Sequence, residues 1–341
     1  MPNPGTMNSQ RDQSAAARQA AERNVSRQFQ LPRWLRAHEI RIVGIVLAVG
    51  IVLTLSTPYF LNSSNLVAVA IGFATDAIIA IAMTIVLITG GFDLSVGSVL
   101  ALGGMVVAIL LHAGWSMWAA MACGLLAGAF VGAVNGLIIT RVGVNPLITT
   151  LGMMSIASSA TLVVSGGYPL SSFPASFLFI GQGLLAGLPF SIILVAILVV
   201  IGDILLRKTS WLRLAYYVGS NEHAAELSGI SVRRVRLISY VFCGLMAALA
   251  GIVATARLSS AFPLAGAGTE LRVISACVIG GASLAGGEGT ILGSLLGVLL
   301  MALINNGLVL LNVSIYWQGI VSGLILIAAV SFDILSRRRK R

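Results

Sequence analysis

Apolar residues in this chain do not alternate with polar ones at a strand or surface-helix period. They come in long runs, apolar on all sides, which is the pattern of helices without a water-facing stripe. Ten runs stand out: 41–57, 66–89, 94–112, 117–140, 147–166, 188–206, 236–256, 271–285, 290–311 and 317–335. A helix needs about 20 apolar residues to cross the hydrocarbon core of a bilayer. The pattern therefore predicts an all-α polytopic membrane protein of about ten transmembrane helices, with the membrane domain over 40–335. Two runs are irregular. The third and the eighth each touch a glycine pair, Gly90-Gly91 and Gly280-Gly281, and the eighth is too short to cross comfortably. Broken or re-entrant helices are tolerated only where protein or a water-filled cavity shields their backbone. These four glycines are read as structural turns beside a pathway.

Composition supports the reading. Of 341 residues, 57% are hydrophobic and 9% charged, against about 25% charged in soluble domains. So few charges cannot dress the surface of a water-soluble globule of this size, which excludes an ordinary cytosolic enzyme and a disordered chain. Cys123, Cys243 and Cys277 all lie inside apolar runs and read as small buried hydrophobes.

The net charge of +10 follows topology and does not indicate nucleic acid. Of 21 Lys and Arg, seven lie in 1–41, six in 207–236 and five in 337–341; with Arg141 these 19 fall on one side of a ten-span arrangement, leaving Arg257 and Arg272 on the other. The positive-inside rule places both termini and the 207–235 loop in the cytoplasm. Residues 1–39 are expected to be a polar, disordered cytoplasmic tail and 336–341 a basic one. An inner-membrane, multi-pass location follows.

Glycine is frequent, 38 residues. Gly128, Gly132 and Gly136 recur at four-residue spacing, as do Gly293 and Gly297, and such spacing lets helix backbones approach closely. Candidate chemistry is sparse. Lys208 precedes Thr209, but Arg207 stands where a phosphate-binding loop needs glycine, so the chain holds no ATP site of that kind. His38, His112 and His223 are far apart in the expected topology, and no metal site is expected. No nucleophile elbow occurs, so no catalytic residue is assigned. Asp76, Asn135, Asn305 and Asn306 lie within spans, where polar groups face a bundle interior or water. They are candidates for the translocation path, with helix packing as the plain alternative. Asp93 and Glu288 follow the glycine pairs as loop acids or turn holders.

Within 207–235, Asn221 or Ser220 caps a short helix beginning at Glu222, and Gly229 stops it. Its small residues suit either a lipid surface or a groove on another protein.

Four strings carry a family signature: Ile88-Thr89-Gly90-Gly91-Phe92-Asp93-Leu94-Ser95-Val96-Gly97-Ser98; Gly219-Ser220-Asn221-Glu222-His223-Ala224-Ala225-Glu226-Leu227-Ser228-Gly229-Ile230; Ala256 to Ala261 leading into Ile279 to Gly289; and Asn305-Asn306-Gly307-Leu308. Together they resemble the membrane permease subunit of ribose-type ABC importers, whose relatives carry monosaccharides or autoinducer-2. The resemblance covers about 41–335. Phe92 replaces a small aliphatic residue of the family, and the extended N-terminal tail has no counterpart in its short members.

The resemblance implies a division of labour. A periplasmic binding protein captures solute, two permease copies (identical or merely similar) form the channel, and a separate ABC ATPase holds ATP-Mg, so this chain needs no cofactor of its own. The 219–230 segment then corresponds to the ATPase-coupling helix, with Gly219, Asn221, Glu222, Ala224, Ala225 and Gly229 at the docking positions. The rivals are a branched-chain amino acid or nucleoside ABC permease, an ion-coupled secondary transporter and an intramembrane enzyme.

Overall fold

The computed structural model describes residues 33–338. Most of the expected N-terminal tail and residues 339–341 lie outside the described residues.

Helices follow the apolar runs closely. They are α1 (Arg33–Ser56), α2 (Ser63–Ile88), α3 (Val96–His112), α4 (Met117–Leu137, continued by a π turn at Ile138–Val142) and α5 (Pro146–Ser165). A short helix α6 (Ala175–Gln182) and a two-residue hairpin, β2 (Leu184–Leu185) with β3 (Leu188–Pro189), lead into α7 (Phe190–Lys208). Then come α8 (Ser210–Ser220), α9 (Glu222–Leu227), α10 (Val232–Leu258), α11 (Thr269–Ile279), α12 (Ile291–Leu310) and α13 (Ile315–Arg338). A second small ladder joins β1 (Leu170–Ser171) to β4 (Ser260–Ala261). Among the described residues, six helices are long and apolar enough to cross a membrane, and three shorter apolar helices stand at 96–112, 190–204 and 317–328.

Three boundaries differ from expectation, each for a physical reason. The first helix begins at Arg33, eight residues before its apolar run and inside the tail expected to be disordered, because Trp34, Leu35 and Ala37 continue a helix-compatible stretch after Pro32. The eighth run stops at Ile279, six residues short of its expected end, because a side chain at Gly280 would strike the Gly293 carbonyl and Gly281 adopts φ 93°. An L side chain is strained at that φ. The C-terminal helix continues to Arg338, into the basic tail, since arginine is a good helix former and nothing breaks the run.

The core is built on α2 and α10. Every residue from Ala77 to Ile88 is buried, while α1 exposes most of its apolar surface, as a helix on the lipid side of a bundle does. Glycine allows the contact between α4 and α10. A Cβ at Gly128 would collide with the Gly244 carbonyl, one at Gly132 with the Tyr240 carbonyl, and one at Gly136 with Leu237. The α12 pair behaves alike, Gly293 against the Gly280 carbonyl and Gly297 against that of Ala276. Several buried hydroxyls bond within their own helices: Thr84 donates to the Ala80 carbonyl (2.6 Å), Thr161 to Ala157 (2.7 Å) and Ser239 to Val235 (2.9 Å), whereas Thr75 and Ser191 have no partner among the described residues.

The bundle has two distinct ends. At one, the loops after α2 and α11 meet the end of α8. At the other, Gln182 donates to the Arg257 carbonyl (2.9 Å) and to Ser259 Oγ (2.7 Å), His112 stands edge-on to Phe173, and β1 pairs β4.

Replacing Gly132 by leucine is expected to cost about 1–3 kcal/mol or more through overpacking, read as a lower melting temperature of the purified protein and less of it in membranes. Gly152→Leu, at a position with nothing within 4 Å of an added Cβ, is expected to leave both unchanged.

Candidate functional site

Polar chemistry gathers where three irregular segments converge. Thr89 ends α2, and Gly90 turns the chain at φ 78°. Residues 91–93 carry no regular structure, and Leu94-Ser95 turn into α3. Asp93 Oδ1 accepts from the Ser95 N–H (2.9 Å) and the Ser95 hydroxyl (2.6 Å), holding the entry to α3. Tyr240 donates its hydroxyl to the Phe92 carbonyl (2.9 Å), over Gly91, where a Cβ would meet the Tyr240 ring. Asp93 is 1% exposed, so it is a buried turn holder and not a solvated loop acid. The other glycine loop, 280–290, returns to the same place: the Gly287 N–H donates to the Ile88 carbonyl (2.9 Å).

The end of α8 closes the junction. A Cβ at Gly219 would overlap the Ile88 carbonyl and the Gly287 nitrogen, so α8 touches both glycine loops through bare backbone. Tyr216 anchors the same helix by donating to the Gly289 carbonyl (2.8 Å).

Beyond Gly219 the chain forms the short helix expected at Glu222. Asn221 Oδ1 accepts from the Ala224 N–H (3.0 Å), the N-cap bond. Gly229, at φ 79°, ends it, with the Ile230 N–H returning to the Ala225 carbonyl (3.0 Å). Ala225 is buried and fixes the inner face, whereas Ala224 is exposed and Leu227 is 87% exposed. Glu222 and Arg236 form a two-bond ion pair, 2.8 Å each, tying α9 to α10. The six residues Gly219, Asn221, Glu222, Ala224, Ala225 and Gly229 thus divide between seating the helix and facing outward. Leu227 adds the largest exposed apolar side chain on α9, which short-helix logic alone did not single out.

The intramembrane polar residues are not brought together. Asp76 receives two hydrogen bonds from Arg272, from Nε (2.6 Å) and Nη2 (3.1 Å), joining the middle of α2 to the start of α11. Charge counting placed Arg272 on the outer side, at the start of the eighth run. Its pairing with Asp76 was invisible because 196 residues separate them. Asn135 is fully buried and donates to Ser95 Oγ (3.0 Å), extending the Asp93 turn onto α4. Asn306 exchanges two hydrogen bonds with Asn65 (2.7 and 3.1 Å), and Asn305 lies half-buried next to it. No group of three or more His, Cys, Asp or Glu able to hold a metal ion occurs among the described residues.

The small exposed helix α9 thus follows α8, whose backbone at Gly219 lies against the two loops where α3 begins and α11 ends. Residues 65–330 match the family described as the branched-chain amino acid transport system / permease component. The ribose import permease protein RbsC of Escherichia coli (strain K12) is 40% identical over 311 residues, covering 90% of this chain and 96% of that one. RbsC of Bacillus subtilis (strain 168) is 41% identical over 285 residues, 83% of this chain and 88% of its own. The L-arabinose transport system permease protein AraH of Escherichia coli (strain K12) is 38% identical over 284 residues, 83% and 87%. No solved structure matches. A broken-helix bundle with an exposed knob, matched over most of its length by transport permeases, belongs to the family of membrane permease components of that transport system.

Proposed function

We propose that this chain is the membrane-spanning subunit of an ATP-driven importer for a monosaccharide. The observation that carries the reading is the seat of α9: an outward-facing helix whose root, Gly219, bears directly on Ile88 and Gly287. A cytoplasmic ATPase docked on α9 can displace both glycine loops at once, and with them the ends of α3 and α11. ATP-Mg on that partner supplies the free-energy difference between the two states. The chain itself serves as a transport subunit without its own ATPase site. The monosaccharide assignment follows the relatives, which are ribose and arabinose permeases, over the amino acid for which the wider family is named.

In this arrangement α1 to α5, α7 and α10 to α13 make ten crossings, with α11 a half-length span. Both termini and the 207–235 loop face the cytoplasm of a bacterial inner membrane. The basic residues support that orientation: Arg141, Arg213, Arg233, Arg234 and Arg236 all follow from segments at the α9 end of the bundle. The opposite end, with α6 and the two small ladders, receives a periplasmic binding protein, and a second permease copy completes the channel. Asp76, Asn135, Asn305 and Asn306 hold the helices that flank the path. The ion pair between Asp76 and Arg272 argues against a free intramembrane carboxylate serving a proton relay, which weakens the ion-coupled alternative.

Vesicles carrying the chain with its binding protein and ATPase are expected to accumulate D-ribose or L-arabinose only while the ATPase is intact. Uptake that persists on a proton gradient with the ATPase disabled overturns the reading. Leu227→Asp changes a surface position and leaves insertion intact. It is expected to weaken ATPase binding by about 2 kcal/mol, about thirty-fold, measured by co-purification. Glu222→Arg is expected to lower uptake by a similar factor, and Glu222→Arg with Arg236→Glu to recover most of it by restoring the pair with its signs exchanged.

A further inference from the structure

A cavity of about 240 Å³ lies between α3, α5 and the segment that leads into α11. Its place in the fold is defined by Gly97, which has no side chain and so lets the Gly266 carbonyl and Glu270 Oε2 come against α3. Two residues further on, Arg272 is bound to Asp76, halfway along α2, so the cavity lies at the depth where the half-length helix starts. Solute sites in transporters with discontinuous helices lie at such places, near the bilayer midplane.

The lining is mixed in a specific way. Ser98, Ser155, Ser158 and Glu270 supply polar atoms, while Met154 and Leu264 supply apolar surface. Several buried hydroxyls elsewhere in the bundle return to the carbonyl one turn back, as Thr84 and Thr161 do, while Thr75 and Ser191 have no partner among the described residues but lie away from this cavity. Ser155 makes such a bond only at 3.4 Å, and the Ser98 and Ser158 hydroxyls make no hydrogen bond among the described residues. Glu270 Oε1 accepts from the Gly268 N–H (3.1 Å), and the nearby Arg272 gives its bonds to Asp76 and Thr269 instead. Free hydroxyls and a carboxylate in an intramembrane setting mark a polar pathway. None of the four residues singled out from sequence lines this cavity.

We propose that this cavity is a station on the translocation path for a ring-form monosaccharide, a reading that rests on the importer function above. A neutral polyol matches the lining. Its hydroxyls donate to the Glu270 carboxylate and exchange hydrogen bonds with Ser98 and Ser158, and its C–H face lies on Met154 and Leu264. Pockets for drug-sized ligands run from about 300 Å³ upward, so a smaller chamber suits a solute of this size. Few contacts give weak binding, which a station between capture and release requires.

The test uses the full chain in lipid nanodiscs and saturation-transfer NMR with millimolar D-ribose, with L-leucine as the second probe. A ribose signal is expected, with none from leucine. Ser98→Ala with Ser158→Ala removes two oxygens and adds no bulk. It is expected to weaken binding about ten-fold while the protein elutes as the wild type does. Ala101→Phe, which fills the chamber, is expected to abolish the signal. A ribose signal that survives both changes places the sugar elsewhere and overturns the proposal, as does absence of any ribose signal from the wild type. A leucine signal lost in the same variants overturns the monosaccharide assignment. ATPase-dependent ribose uptake by the same chain in vesicles separates the cases: if it persists while the cavity proposal fails, the importer reading stands.

Discussion

The hydrogen bond from the Gly287 N–H to the Ile88 carbonyl, with Gly219 pressed against both, is the contact on which the rest of this structure depends. A bilayer offers no water to backbone groups, so a chain that leaves helical geometry inside it must be shielded and paired by protein. Two segments of this chain leave helical geometry, 89–95 and 280–290. The Gly287 N–H pairs with the Ile88 carbonyl, and the end of α8 covers both. The irregular backbone therefore keeps its pairing only while these three pieces stay together.

Close approach makes this contact stiff. A side chain between α8 and the glycine loops would act as a compliant spacer, whereas backbone against backbone leaves no rotamers to absorb a shift. The same holds along α4 and α10, where glycines at 128, 132 and 136 put one helix on the carbonyls of the other. Packed interiors respond to force by switching arrangement and not by gradual deformation. The Asp93 turn adds a second tie: through Ser95 it reaches Asn135 on α4, so the entry of α3 is fixed to the helix that packs most closely on α10.

Much of this fold was legible in the sequence because lipid imposes a one-dimensional rule. Apolar runs had to be helices, and each of the ten overlaps a helix, with ends agreeing to within a few residues except at Arg33 and at Gly280-Gly281. The α9 cap was legible too, since Asn221 and Gly229 act on their immediate neighbours. What could not be read were pairings across the chain. Asp76 with Arg272, and Asn65 with Asn306, join residues roughly 200 or more positions apart, and nothing local distinguishes a paired polar residue from one that lines a channel. The cavity residues were missed for the opposite reason. Serines such as Ser98 and Ser158 are ordinary in membrane helices, where they commonly bond their own backbone, and only their place on the cavity wall, with no partner among the described residues, sets them apart.

The placement of charge follows the same economy. The Asp76–Arg272 pair is bidentate and partly shielded, 15% and 31% exposed. Removing either partner leaves a charge in a poorly solvated setting, which costs far more than the pair contributes when whole. Such a pair is weak evidence for added stability and better understood as a register pin: it fixes where the half-length helix α11 begins against α2. With that start fixed, Glu270 is carried to the wall of the cavity beside Gly97, and the far end of α11 is carried to the glycine loop under Gly219. One short helix of eleven residues thus runs from the cavity wall at Glu270 to the glycine loop that lies against Gly219.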